Sequence, residues 1–254
     1  MEGLRNLGDP SYFANQYYND EIDEICFQDV VATLYDKSLI TKIIENCSKN
    51  IFVNIAVGGG LRRIQDVDAL LRIGVDKVYV NSEAIRNKNF LRELVQKYGS
   101  STIGVNIDTI YNGNFYEVLI ETGREKTNLN IKNWIEKLNE YNVGEITLTE
   151  INREGRQKGF NIELYNSMSN LTNIPIIAHG GAGDNNQILE LFTKTSVSGV
   201  SIASMFHYNY LKEDNISKMT GTNYFLKNLS IIKKQNKIKE LKEFLYKNKI
   251  NVRI

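Results

Sequence analysis

The chain has 254 residues, 42% of them hydrophobic, and its 31 Lys and Arg nearly balance 30 Asp and Glu to leave a formal charge of +1. That length can bury one large core or two small ones, and the even charge gives no reason to expect nucleic acid or an anionic membrane as partner. No apolar run approaches the roughly 18 residues of a membrane span, and the polar start lacks the basic and apolar regions of a signal peptide. Cys26 and Cys47 have neither CxxC nor zinc-ligand spacing, so the expectation is reduced thiols in a cytoplasmic protein, with no disulfide, metal or cofactor.

In chain order, EICF (Glu24–Phe27) reads as the first strand, followed by VNIAVGGG (Val53–Gly60), an apolar strand running into a glycine turn. Val67, Leu70 and Leu71 then mark a helix before Gly74. DKVYVNS (Asp76–Ser82) is an alternating strand, and Phe90, Leu91, Leu94 and Val95 mark a helix before Gly99. STIGVNID (Ser101–Asp108) opens a second series. It continues with a helix carrying Ile131, Trp134, Ile135 and Leu138, the strand ITLT (Ile146–Thr149), and IIAHGGAG (Ile176–Gly183). A helix with Ile188, Leu189, Leu191 and Phe192 and the strand SGVSIAS (Ser198–Ser204) complete it.

The two series repeat. Gly58 and Gly180 stand 122 residues apart, and the same offset lays DKVYVNS on SGVSIAS and EICF on ITLT without a gap. Strands alternating with helices imply parallel pairing with helical crossovers. A doubled unit of four strand and helix pairs predicts an α/β protein, a (β/α)8 TIM barrel of two half-barrel repeats; a doubly wound open sheet is the runner-up. The counterpart of STIGVNID would precede residue 1, so the first strand is expected to be missing from this chain. The predicted organisation is one domain over residues 1–254, with halves of about 1–100 and 101–208, an Asn- and Lys-rich insertion at about 209–237, and a final helix at about 238–250.

Side chains alternate faces along a strand. One face is apolar, with Ile25, Phe27, Val78, Val80, Ile103, Val105, Ile107, Ile146 and Leu148. The other carries Glu24, Cys26 and Gln28, then Lys77, Tyr79 and Asn81, then Gly104, Asn106 and Asp108, with Glu145, Thr147 and Thr149 following. Such barrels usually fill their axis with branched aliphatics, so this column predicts a lumen that admits a small polar molecule. Glu24, Lys77 and Glu145 stand at strand starts, on the bottom face; Asn81 and Asp108 stand at strand ends, where such barrels keep their active sites. Taken alone, the three charges also fit a structural ion-pair cluster, Asp108 a turn cap and the glycines tight turns. Each half nevertheless carries one glycine turn followed by a strand ending in Ser82 or Ser204, and two such anion cradles suit a ligand with a phosphate at each end.

The runs AVGGGLR, DKVYVNS, GEITLT, NREG, PIIAHGGAG and IASMFHY, in this order and spacing, resemble the HisF family, the cyclase subunit of imidazole glycerol phosphate synthase. The likeness spans about residues 2–208 and resumes in KELKEFLYKNKINVR. It implies a histidine-biosynthesis enzyme that takes ammonia from a glutaminase docked on the bottom face as a heterodimer. Passing along the barrel axis, that ammonia would convert a bisphosphorylated ribulosyl-aminoimidazole carboxamide precursor to imidazole glycerol phosphate and aminoimidazole carboxamide ribotide. The resemblance implies Asp108 as catalytic residue. It gives one phosphate to Gly60, Asn81 and Ser82, the other to Gly155, Gly181, Ala203 and Ser204. Glu24, Lys77 and Glu145 fall on the ammonia entrance, and Asp29, Glu154 and His179 on possible substrate contacts. His207 matches a tail-motif histidine with a structural part.

The sequence also departs from that pattern. The family's second catalytic aspartate lies on the strand missing here, Asn152 replaces an acidic residue in NREG, and His179 replaces a small one. EGLRNLGDP, DVVATLYDKSLI and TGREKT resemble relatives that serve surface-sugar amidotransferases. Two other readings are therefore an ammonia-conducting subunit of that kind and a catalytically silent scaffold.

Overall fold

A computed structural model of the protein describes residues 8–29, 38–207, 210 and 237–254. The expected insertion at 209–237 lies outside the described residues, apart from its positions 210 and 237.

Helix α1 (Pro10–Asn19) starts where the Asp9 carboxylate accepts a hydrogen bond from Ser11 N–H at 2.9 Å, with Pro10 in the first turn. There follow β1 (Glu24–Gln28), α2 (Ser38–Ser48), β2 (Asn54–Gly58), α3 (Ile64–Arg72), β3 (Lys77–Val80), α4 (Ser82–Arg86), α5 (Lys88–Tyr98) and β4 (Ile103–Tyr111). The chain continues through β5 (Tyr116–Ile120), β6 (Glu125–Asn130), α6 (Ile131–Tyr141), β7 (Glu145–Glu150), α7 (Ile162–Ser169) and β8 (Ile176–His179). It ends with α8 (Asn185–Lys194), β9 (Gly199–Ser201), α9 (Ser204–His207) and α10 (Ile238–Lys247). Asn87, Asn130, Asn161 and Asp184 cap α5, α6, α7 and α8 through their side chains, so short polar residues set where the helices begin.

The seven strands β1-β2-β3-β4-β7-β8-β9 pair in that order, all parallel, and they carry the helices of a (β/α)8 barrel on their outer side. Among the described residues β1 and β9 each have a single strand neighbour, and the eighth position between them holds no strand. On the inward column of β1, Cys26 and Gln28 are exposed. Helix α10 spans that side. It packs against α8, and its buried Lys242 donates to the Glu21 carbonyl at 2.7 Å and to Asp23 at 2.8 Å, in the turn that feeds β1. Ile238 N–H donates to Asp20 at 2.6 Å, and Arg253 pairs with Asp23 at 3.1 Å.

The outward faces build the core. Ile25, Val78, Val80, Ile103, Val105, Ile107, Ile146 and Leu148 are all buried against the helices, as their alternation requires.

One element differs from the sequence reading. STIGVNID was expected to end at Asp108, but β4 runs on to Tyr111, while Ser101 and Thr102 belong to a 3-10 turn before it. Beyond the barrel rim β4 finds an antiparallel partner in β5, from Asp108 opposite Leu119 to Tyr111 opposite Tyr116, and β6 completes the hairpin. Asp108 thus sits within a strand, where the barrel ladder gives way to the hairpin, rather than capping a turn. Arg86 of α4 ties the hairpin down through Glu121 at 2.6 Å and Glu125 at 3.1 Å.

Candidate functional site

The lumen is built in levels. At the bottom, Lys77 Nζ lies 2.9 Å from Glu24 and 3.1 Å from Glu145, so the three charges expected at the strand starts meet in one cluster. Burial opposes the Lys77 charge, but the two carboxylates outweigh it and hold the ammonium above its usual pKa. Partial exposure of all three side chains, between 14% and 27%, keeps the cluster wetted from below.

Directly above lies Tyr79, which is buried although it faces the axis. Its hydroxyl donates to Glu145, and the Lys77 ammonium stands 5.9 Å from its ring centre. The ring spans the space over Gly104, where a Cβ would collide with Tyr79 Cε1 and Cδ1. Burial first, and the two carboxylates next, push the phenol far above its ordinary pKa, so it is a permanent donor. At the next level Asn106 donates to Gln28 at 3.1 Å across the lumen, and Gly58 leaves room for the Gln28 amide. Apart from Tyr79 and Ile177, whose Cδ1 leans over Gly199, the inward column carries no bulky apolar group. Among the described residues the column is polar apart from Ile177 and the Tyr79 ring that crosses it.

At the mouth, Asp108, Thr149, His179 and Ser201 share one hydrogen-bond register across β4, β7, β8 and β9. Asn81 donates to Asp108 at 3.1 Å. Burial pushes the Asp108 carboxyl up to about 7, the Glu154 charge adds to that push, and the Asn81 bond only partly offsets it. His179 Nδ1 is 2.9 Å from the Thr149 hydroxyl. Burial holds its imidazole below the ordinary value, with Glu154 pulling the other way. Glu154 comes from the loop after β7, its backbone against Gly180. The mouth thus gathers a carboxyl raised toward neutrality, an imidazole that burial favours in its neutral form, and a carboxylate that acts on both.

The glycine turns have a reason inside the fold. A Cβ on Gly59 would overlap the Asp29 carbonyl, whose residue donates its N–H to Gly58 at 2.9 Å. A Cβ on Gly181 would overlap the Gly159 carbonyl, and Gly159 N–H donates to Gly181 at 2.8 Å. Both glycines have positive φ, 104° and 117°. Side chains are removed there because a neighbouring loop's backbone presses against each turn.

Of the residues expected to hold phosphates, Gly60 (φ 63°) follows Gly59 in the first turn, and Ser82 begins α4 with its hydroxyl accepting from Glu121 N–H at 2.9 Å. Gly155 (φ 69°) lies in the loop after β7, where a Cβ would meet nothing within 4 Å. Ala203 and Ser204 sit where β9 passes into α9. These positions surround the same mouth from two sides of the barrel, at the ends of β2 and β3 and at the ends of β7, β8 and β9. His207 is elsewhere: it stacks on Phe13 at 4.0 Å and shares a 2.7 Å hydrogen bond with Tyr17, joining α9 to α1. On the opposite, bottom face Phe52 is 78% exposed, and a cleft of about 870 Å³ is lined by Ser100, Asn142, Gly144, Leu171 and Pro175 among others.

Sequence comparison places these features among known proteins. A family model described as "Histidine biosynthesis protein" matches residues 2–212. The chain is 38% identical over 205 residues to the "Imidazole glycerol phosphate synthase subunit HisF" of Dehalococcoides mccartyi, covering 81% of either chain. It is 32% identical to the protein of the same name from Pyrococcus furiosus over all of its own length and 91% of that relative, and 35% identical to that of Clostridium beijerinckii, with 86% and 87% covered.

Proposed function

The chain belongs to the histidine biosynthesis protein family, as a cyclase subunit of the imidazole glycerol phosphate synthase type, and on that premise we propose how its barrel divides the work. A glutaminase subunit docks on the bottom face, over the Glu24, Lys77 and Glu145 cluster, and releases ammonia there. Exposed Phe52 offers that face an apolar anchor, and the polar-lined cleft beside Leu171 offers it a concave surface. Ammonia moves up the polar column to the mouth. There the bisphosphorylated ribulosyl-aminoimidazole precursor spans the barrel, one phosphate at Gly60, Asn81 and Ser82 and the other at Gly155, Gly181, Ala203 and Ser204.

Asp108 exchanges protons with the substrate during ring closure. A carboxyl poised at about 7 is suited to that, because it holds and gives up a proton at comparable cost near neutrality. Asp29 and Glu154 stand at the rim as substrate contacts. A cytoplasmic location belongs to this reading, supported by two cysteines whose spacing gives no disulfide framework.

The observation that carries this reading is the largely polar inward column, crossed by the Tyr79 ring, that runs from the charged bottom cluster to the Asp108 mouth. Its test is an assay with the bisphosphate precursor and ammonium chloride, with and without a glutaminase subunit and glutamine. Release of imidazole glycerol phosphate from ammonium alone, and from glutamine only when both subunits are present, is the expected result. No product under either condition overturns it.

A further inference from the structure

Adding ammonia to a carbonyl moves two protons: one must reach the oxygen and one must leave the nitrogen. Asp108 supplies one proton-transfer group at the mouth. The register row through it contains one other titratable side chain, His179, two strands away and therefore about 10 Å across the rim at the usual strand spacing. Both residues belong to the inward column of their strands, and Thr149 stands between them in the same row.

The histidine is held for the purpose. Thr149 engages Nδ1 at 2.9 Å, which fixes the ring plane and leaves Nε2 as the free end. The main chain beneath it is pinned separately, because the buried Tyr165 hydroxyl shares its one proton between the carbonyls of His179 at 2.8 Å and Leu148 at 2.9 Å. Gly180 follows directly, and its missing side chain lets the Glu154 backbone come close, so a carboxylate from the next loop shares the corner.

We propose that His179 is a catalytic residue of this barrel, its Nε2 working as the proton-transfer partner of Asp108. This rests on the cyclase reading. In the addition step the ammonia lone pair forms the C–N bond and the carbonyl π pair moves onto oxygen. Asp108 gives its proton to that oxygen. His179 Nε2 takes a proton from the new ammonium nitrogen, and Glu154 stabilises the imidazolium that results. The products are a neutral carbinolamine, an Asp108 carboxylate and a protonated His179, so charge and atoms balance.

The sequence makes the test direct, because it contains two histidines, His179 and His207. In the full chain labelled with ¹⁵N-histidine, imidazole glycerol phosphate should shift the ring signals of His179 saturably and leave those of His207, locked to Tyr17 and Phe13, in place. With ammonium chloride as nitrogen source, His179→Gln and His179→Ala should lower kcat by about 10²–10³-fold while KM changes by less than about threefold. Added imidazole should restore part of the turnover of His179→Ala. Thermal melts of both variants show whether the fold is retained. Wild-type turnover with a silent His179 signal, undiminished kcat in folded variants, or no rescue by imidazole overturns the proposal alone. A wild-type protein that neither binds the probe nor turns over the precursor overturns the cyclase reading, and the proposal with it.

Discussion

The aromatic ring of Tyr79 fills the volume that a side chain on Gly104 would need, and its hydroxyl is bonded to the same Glu145 that pairs with Lys77. The glycine, the tyrosine and the bottom charge cluster therefore form one packed unit across the barrel axis. Gly104→Ala should push the ring off its site and cost about 1–3 kcal/mol through overpacking. Adding Tyr79→Ser should recover much of that loss. Urea denaturation of the two single variants and the double variant gives the coupling; strictly additive effects would show that the ring and the glycine are independent.

Lys77 bridges two carboxylates, so Lys77→Met leaves Glu24 and Glu145 facing one another. Removing one partner of a fully buried pair costs about 3–5 kcal/mol, and partial solvent access here reduces that to about 2 kcal/mol. Urea midpoints of wild type and variant at pH 7 measure the loss.

Asp108→Asn should abolish turnover with ammonium and at the same time stabilise the protein at neutral pH. The folded carboxyl titrates at about 7, well above its value in an unfolded chain. Between about 4 and 7 the unfolded state has already released this proton while the folded state still holds it, so stability falls as pH rises through that window. Asparagine removes the penalty. The melting temperature of the variant should exceed wild type by several degrees at pH 8 and match it near pH 4.

His207 gives the opposite slope. Burial lowers its imidazole to about 4, so below about pH 6.5 the unfolded state binds a proton that the folded state refuses. Stability contributed by this residue is complete above pH 6.5 and is lost as the pH falls toward 4. His207→Phe, which keeps a ring against Phe13, should flatten that part of the pH profile while giving up the Tyr17 hydrogen bond. Guanidinium denaturation of both proteins at pH 7.5 and 4.5 separates the two effects.

The barrel was legible because its strands are short, regularly alternating and doubled at a fixed offset, so Ile103, Val105 and Ile107 declare one face and Asn106 and Asp108 the other. The same alternation put Glu24, Lys77 and Glu145 at one height, and the structure brings them together. The hairpin after β4 escaped notice because its pairing partner is local and antiparallel: nothing in IGVNIDTIY says that the ladder changes partner at Asp108. The glycine turns suit ligand cradles in sequence, and Gly59 and Gly181 also answer to the carbonyls of Asp29 and Gly159, contacts between loops that no one-dimensional pattern reveals. Tyr79 was visible as an odd member of the inward column. The matching absence of a side chain at Gly104, on the next strand, is what turns that oddity into a packed layer.

Helix α10 joins Ile238 to Asp20 and Lys242 to Glu21, partners 218 and 221 positions apart along the chain. Translation proceeds at about 5–20 residues per second, so the turn before β1 waits on the order of ten seconds or more for the residues that clasp it. Such long-range contacts form late. A nascent chain of this protein therefore lacks these contacts to the turn before β1 through most of the synthesis of the barrel.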